Sequence, residues 1–324
     1  MSRVLITGAH GFLGSHLCEA FVNAGDEVTA LVSPWGKLDN LEHLNLPILR
    51  ADIRDPDALV GRCEGVDVVV HAAAKVADWG RWQDFMQVNA SGTANLLREA
   101  KRAKVKRFVL ISSIAVHPYS GYVQADSRTL PRDSTINAYA VSKRLAEDYV
   151  MMNDVPWTIV RPGLWVFGER DPQFARVARA ISRRQLPLIA GGKTVLNTAY
   201  APNLARAVRT ASFHPAAVGK SYVLADDGQP SWREVFGHVA SSLGVSSPRM
   251  SLPAAPVRGV ARAIERLWNE TLEPPLTPYR VQLFSQDIHF NTQTARDELG
   301  YYPAITWREG IERTCAALEE AQDI

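Results

Sequence analysis

The chain has 324 residues, 46% of them hydrophobic, with 36 Lys and Arg against 34 Asp and Glu for a formal net charge of +2. That length can bury one large core beside a smaller partner lobe, and interspersed, nearly balanced charges exclude the electrostatic footprint of a nucleic-acid binder. Cys18, Cys63 and Cys315 stand apart with no Cys-x-x-Cys spacing, so no metal site and no disulfide framework is expected, and no apolar run is long enough for a transmembrane segment.

The opening runs straight into Arg3-Val-Leu-Ile-Thr7, a β-branched apolar run that reads as a buried strand. No signal-peptide pattern precedes it, and a reducing, cytoplasmic setting is the expectation. Gly8-Ala9-His10-Gly11-Phe12-Leu13-Gly14 follows and leads into helical periodicity over residues 15–22. In such a strand–turn–helix unit Gly8 permits the tight turn, Gly11 lets the backbone approach a pyrophosphate, and Gly14 lets the helix pack close on the strand. The helix N-terminus adds free N–H groups and the positive end of its dipole, an anion site. The second strand, Asp26-Glu-Val-Thr-Ala-Leu-Val32, ends on Ser33 with Lys37 close behind. Pro47-Ile-Leu-Arg-Ala51 is a third strand, leading to Asp52-Ile53, and Val66-Asp-Val-Val-Val-His71 a fourth, running into Ala72, Ala73 and Ala74. Val88-Asn89-Ala-Ser-Gly-Thr93 lies on a helix, and Arg107-Phe-Val-Leu-Ile111 is a strand that delivers Ser112 and Ser113. Tyr139-Ala-Val-Ser-Lys143 then puts a phenol and an ammonium four residues apart, on one helical face. A free phenol ionises near pH 10, and a neighbouring positive charge lowers that value, so the pair can move a proton. Trp157-Thr-Ile-Val160 leads into Arg161-Pro162-Gly163-Leu164. Beyond it, irregular segments at 168–172, 191–192 and 226–230 interrupt helical runs such as 173–181.

The Gly-x-x-Gly-x-x-Gly spacing, Asp52, the small residues 72–74, Asn89, the serine strand, the Tyr139–Lys143 pair and Arg161-Pro162-Gly163 occur in one order. Together, over roughly the first half of the chain, they resemble the extended branch of the short-chain dehydrogenase/reductase superfamily. The resemblance implies an α/β fold, a doubly wound parallel Rossmann sheet over 1–165 with a smaller substrate lobe over 166–324, and Lys220-Ser-Tyr-Val-Leu224 returning to the main sheet. It implies a cofactor held by Gly8, Gly11, Phe12, Leu13, Gly14, Asp52, Ile53, Ala72, Ala73, Ala74, Pro162, Gly163 and Leu164. Asp52 and Ile53 would touch adenine. Tyr139 is then the general acid/base, Lys143 lowers its pKa and holds the nicotinamide ribose, and Ser113 bonds the substrate oxygen, with Asn89 orienting the water or backbone that completes a proton path. Ser112 falls on the opposite side of the strand. The plainer readings are strand-end serines, a helix-capping Asn89, a core His71 and a His10 without catalytic part.

The end of the second strand lacks the acid that usually accepts ribose hydroxyls, while Ser33 and Lys37 suit a 2′-phosphate. No arginine stands beside them in sequence, so the cofactor is NADP or NAD with a slight lean to NADP. The Arg161-Pro-Gly-Leu-Trp-Val-Phe-Gly168 segment departs from nucleotide-sugar members and is more similar to the 3β-hydroxysteroid dehydrogenase group and reductases of 2-alkyl-3-oxo acids. This implies an oxidoreductase interconverting a secondary alcohol and a ketone on a sterol-like or long-chain 3-oxo substrate. Trp79, Trp82, Tyr119, Trp165 and Phe174 either line its apolar pocket or are ordinary packing aromatics. A nucleotide-sugar epimerase or dehydratase with bound NAD and a non-catalytic cofactor sensor are the alternatives. A homodimer is plausible through the helices carrying Asn89 and Tyr139, with Val141, Leu145 and Val150 on the interface or against the sheet. Residues 257–268 form a basic amphipathic helix, for which packing on the domain is favoured over peripheral membrane contact.

Overall fold

Short runs of Val, Ile and Leu bounded by glycine and proline become strands, and the periodic stretches between them cover both faces of the sheet. The computed structural model describes residues 1–270 and 272–321. Its first half runs β1 (Arg3–Thr7), α1 (Phe12–Asn23), β2 (Glu27–Val32), β3 (Ile48–Arg50), β4 (Val68–His71), α2 (Trp82–Phe85), α3 (Gly92–Arg102), β5 (Arg107–Ile111), β6 (Tyr122–Ala125), α4 (Ala138–Met151) and β7 (Trp157–Pro162). The second half adds β8 (Trp165–Phe167), α5 (Pro172–Ser182), β9 (Leu188–Ile189), β10 (Thr198–Tyr200), α6 (Ala201–Phe213), β11 (Lys220–Leu224), α7 (Trp232–Ser242), β12 (Ser251–Leu252), α8 (Ala254–Leu267), α9 (Pro278–Ser285), β13 (Ile288–Phe290), α10 (Gln293–Leu299) and α11 (Trp307–Glu320).

Seven parallel strands form the main sheet in the order β11-β7-β5-β4-β1-β2-β3. Every residue of β4 and β5 is buried, as expected where helices cover both faces. Leu17 and Phe21 of α1 and Leu204 and Val208 of α6 pack on one face; Leu96 and Leu97 of α3 and Ala146 and Val150 of α4 pack on the other. The strand order reverses between β1 and β4, so the crevice at their carboxyl ends is where such a sheet binds ligands. β11 reaches this sheet from the far side of the lobe and pairs with β7, Lys220 opposite Thr158 through Leu224 opposite Pro162. Gly163 makes the exit from β7 tight: a methyl there would lie 3.0 Å from Asn197 Cβ and 3.1 Å from both Ala225 Cβ and the Thr198 carbonyl oxygen.

The lobe bears on two readings left open by the sequence. Trp165 and Phe174 do not line an open pocket: they stack at 5.6 Å in a closed aromatic core with Phe167, Trp232 and Phe236. Burying such large surfaces together satisfies them without a ligand. The helix predicted over 257–268 forms as α8, and its apolar residues divide: Val257 and Ala261 pack on the lobe, whereas Val260 and Leu267 face solvent. Ala261 alone on that helix is buried, against Ile189 and Val281, while Val260 and Leu267 are 56% and 88% exposed. Among the described residues no helix is long and apolar enough to cross a membrane, and no group of His, Cys, Asp or Glu is set to hold a metal.

Candidate active site

The glycine loop closes directly on the carboxyl end of β4. Gly8 has φ +67, a conformation side chains disfavour, and a methyl on it would meet the Ala73 backbone at 2.7 Å. A methyl on Gly14 would lie 2.1 Å from the Gly8 carbonyl oxygen, so α1 starts as close to the turn as backbone allows. Helix α1 begins at Phe12 and Leu13, inside the loop, without a side-chain cap. Its first N–H groups are therefore left for an anion.

A buried hydrogen-bond chain ties this loop to the next layer. The Ala73 N–H donates to Thr7 Oγ1 at 3.2 Å, and Thr7 and His71 Nδ1 are 2.7 Å apart. His71 Nε2 lies 2.9 Å from Thr93 Oγ1, whose hydroxyl donates to the Asn89 carbonyl at 2.6 Å. With the Thr93 proton so committed, His71 carries its proton on Nε2 and its Nδ1 accepts from the Thr7 hydroxyl. Burial pushes this imidazole down to about 3, so it stays neutral and serves as a strut between β1, β4 and the helix.

Asn89 sits in a π-helical turn, Met86–Ser91, between α2 and α3. Its Oδ1 accepts from the Lys75 N–H at 2.7 Å, and its Nδ2 donates to the Lys75 carbonyl at 3.0 Å and to Ser142 Oγ at 2.9 Å. All three bonds clamp the backbone after Ala74 onto α4, so Asn89 positions that backbone beside the helix that carries Tyr139 and Lys143.

The Asn137 side chain caps α4 by accepting from the Ala140 N–H at 2.8 Å, which sets Tyr139 in the first turn and Lys143 one turn below. Ser113 caps the short turn after β5, accepting from the Ala115 N–H at 3.1 Å, and its side chain acts on the Tyr139 phenol. Ser112 faces the other way and donates to Glu147 Oε1 at 2.6 Å. The Lys143 ammonium is buried and donates to the Ile111 carbonyl at 2.8 Å. Burial pushes Lys143 down to about 8, opposed by Glu147. The Tyr139 phenol is not lowered as the helical pairing implied: desolvation of its hydroxyl raises it, and Ser113 only partly offsets the rise.

Two features of this site were not legible from local sequence. Arg161, at the end of β7, donates to Glu147 of α4 at 2.8 and 2.7 Å, with both side chains almost wholly buried, and Arg132 adds a bond at 3.0 Å. Glu147 is held below the usual carboxylate range despite its burial, because these guanidiniums face it. Tyr279 of α9 comes to the phenol cluster from 140 positions away. Its hydroxyl is 3.4 Å from that of Tyr119, and both rings pack with Tyr139 and Leu164 around Ile114 and Ala140. Tyr119, expected in the pocket, is thus beside Tyr139. Trp79 lies at the mouth with its Nε1 donating to the Asn269 carbonyl at 3.2 Å, and Trp82 is 53% exposed outside.

At the other end, Arg50 donates to the carbonyls of Ser33, Pro34 and Gly36 at 3.1, 3.0 and 3.0 Å and so shapes the loop after β2. The Ser33 hydroxyl is buried without a partner. Arg54 chelates Asp52 and stands over Trp35 at 5.5 Å, and Ile53 is buried against Gly92. Lys37 is exposed nearby. An uncapped helix start, a cradle that a methyl would fill and an orphaned hydroxyl fit a bound dinucleotide, while Pro162, Gly163 and Leu164 border the opposite end beside Tyr139.

The chain is 29% identical over 97% of its length to a 2-alkyl-3-oxoalkanoate reductase of Stenotrophomonas maltophilia, 99% of which is covered. It is 29% identical over 96% of its length to a 3 beta-hydroxysteroid dehydrogenase/Delta 5-->4-isomerase of Mycobacterium tuberculosis, 89% of which is covered. Among solved structures, that of gox2253 superposes with TM-score 0.85 at 26% identity over the whole of both chains. The family model described as the NAD dependent epimerase/dehydratase family matches residues 4–225, which hold the glycine loop, Ser113, Tyr139, Lys143 and β11. This chain belongs to the NAD dependent epimerase/dehydratase family.

Proposed function

We propose that the protein is an NAD(P)-dependent oxidoreductase that interconverts a secondary alcohol and a ketone on an apolar substrate, of the 3-oxo acid or 3β-hydroxysteroid type. The observation that carries this reading is the Tyr139 phenol, under the influence of Ser113, with the Lys143 ammonium one turn below and the glycine cradle alongside. A bound nicotinamide dinucleotide supplies or accepts the hydride. Tyr139 gives or takes the alcohol proton and Ser113 holds the oxygen on which charge develops. The raised phenol is protonated at neutral pH, which suits donation to a ketone oxygen during reduction. Leu164, Tyr119 and Tyr279 present an apolar, phenol-tipped wall beside it, in keeping with the substrates named for the reductase and steroid dehydrogenase relatives.

On the cofactor, the reading favours NADP. The unpartnered Ser33 hydroxyl, the absence of an acid at the end of β2 and the approach of Arg50 and Arg54 to that loop support it. We further read the protein as a cytoplasmic homodimer pairing through α3 and α4. The three buried free cysteines suit a reducing compartment, and Tyr149 and Met152 stay exposed on α4, while Val141 and Val150 are buried. Purified protein should be assayed with a 3-oxo acid, a 3β-hydroxysteroid and a UDP-sugar, each with NADP and NAD species. Cofactor-dependent turnover of an apolar substrate supports the reading. Turnover of the UDP-sugar alone, without net cofactor consumption, overturns it, and a preference for NAD overturns the NADP reading.

A further inference from the structure

We propose that α8 and the residues after it form a membrane-docking face that seats the mouth of the site on an anionic lipid surface. Pro256, Val260, Ala263 and Leu267 recur at four-, three- and four-residue spacing, so they form one line along the helix, and all four face solvent. Trp268 and Leu272, just past the helix, are also exposed, 40% and 61%. The opposite side of α8 carries the small contact with the lobe, through Ala254, Val257 and Ala261. A soluble domain gains nothing from turning its apolar stripe outward, so a contiguous exposed line calls for a covering surface.

The charge pattern selects the cover. Between Ala254 and Leu267 the chain carries Arg258, Arg262 and Arg266 against the single acid Glu265, with Arg262 and Arg266 exposed. A second copy pairing stripe to stripe about a twofold axis would bring these arginines against themselves. Lipid phosphates suit them, while Leu267 and Trp268 enter the acyl boundary.

The stripe also adjoins the site. Trp79 and Arg81, on the loop that follows Ala74, contact Asn269 by a 3.2 Å hydrogen bond and Glu270 by a 3.9 Å ion pair. Thr277 and Arg280 hold Asp78 of the same loop at 2.6 and 2.9 Å. Val76 and Trp82 extend the apolar rim, 61% and 53% exposed. Each acid at this mouth faces a base, Asp78 with Arg280, Glu273 with Arg176 and Arg280, Glu270 with Arg81 and Asp84 with Lys75, which offsets their opposition to an anionic surface. A docked mouth gives a lipid-dissolved substrate a path that avoids water. That last step rests on the apolar-substrate reading; the docking itself does not.

The test is co-sedimentation of the full chain with phosphatidylcholine vesicles with and without phosphatidylglycerol, at low and high salt, for wild type, Leu267→Asp, Val260→Asp and Arg262→Glu/Arg266→Glu. Wild type should pellet with the anionic vesicles and be released by salt, and each variant should lose binding by about tenfold or more. Turnover of a short water-soluble ketone should be unchanged in the variants. Wild type remaining in the supernatant with anionic vesicles at low salt overturns the proposal, as does undiminished binding of Leu267→Asp. A change of oligomeric state in Leu267→Asp, read by light scattering, also overturns it, because the stripe is then covered by another copy. Because binding is read without turnover, its failure is distinct from a failed substrate assignment.

Discussion

Replacing Arg161 by Met removes one partner of a buried ion pair and leaves the other in place. Glu147 is fully buried and accepts from Arg161 at 2.8 and 2.7 Å, from Ser112 at 2.6 Å and from Arg132 at 3.0 Å. Breaking a buried pair by deleting one partner costs about 3–5 kcal/mol, mainly the penalty of an uncompensated buried charge. Arg132 persists and is itself 28% exposed, so the expected loss is at the low end, about 3 kcal/mol. That is a large part of a typical total of about 5–15 kcal/mol, yet leaves a folded protein. The pH dependence follows from the depressed carboxyl. In the wild type, its stabilisation is complete above the unfolded value of about 4.3 and is lost as pH falls through the lower folded value. Without Arg161, burial dominates and raises the carboxyl. The variant's deficit should then be largest at neutral pH and shrink at acidic pH, once Glu147 protonates. Urea unfolding followed by tryptophan fluorescence at both pH values measures this. Glu147→Gln/Arg161→Met should be less destabilised than the two single changes summed, since a neutral amide needs no countercharge. A deficit under about 1 kcal/mol at neutral pH, or one that does not move with pH, refutes the reasoning.

Gly14→Ala places a methyl against the Gly8 carbonyl oxygen, and cofactor binding by calorimetry should be lost even where circular dichroism shows a folded chain; wild-type affinity would contradict the cradle. Lys143→Met should abolish turnover yet raise the urea midpoint at neutral pH. Lys143 is pushed down to about 8 by burial, so wild type carries the cost of its charge below that value and sheds it as pH rises toward about 10.4. The advantage of Lys143→Met should shrink over that window, and an advantage that grows with pH would contradict this. Tyr279→Phe should raise KM for the apolar ketone by about 3- to 30-fold with a smaller change in kcat, because a phenol contact at the pocket wall is lost; an unchanged KM would remove Tyr279 from the pocket.

The parts of the site that could be read in sequence are those built from neighbours along the chain. The glycine loop, the serine strand and the Tyr139–Lys143 spacing are each contained within one strand–turn–helix unit, where local geometry leaves few arrangements. Alternation along β5 likewise separates Ser112 from Ser113 before any tertiary contact is known. Glu147 and Arg161 read individually as surface charges on a helix and at a strand end, since nothing local says that a sheet and a helix will close over both. Tyr279 lies 140 residues from Tyr139 and carries no motif. Trp165 and Phe174 show the converse: aromatic content predicts burial equally well in a pocket or in a core, and only the packing of the lobe distinguishes them. The periodicity of α8 revealed an apolar face but not that solvent lies over part of it.

The central claim is that Tyr139 moves the proton at the oxygen of a carbonyl whose carbon exchanges hydride with a nicotinamide cofactor. The most direct measurement is steady-state cofactor oxidation by wild type and Tyr139→Phe with a 2-alkyl-3-oxo acid, each protein first shown to bind the cofactor equally. The account predicts that kcat falls by about 10²- to 10⁴-fold in Tyr139→Phe while cofactor affinity is retained. Turnover equal to wild type would contradict it.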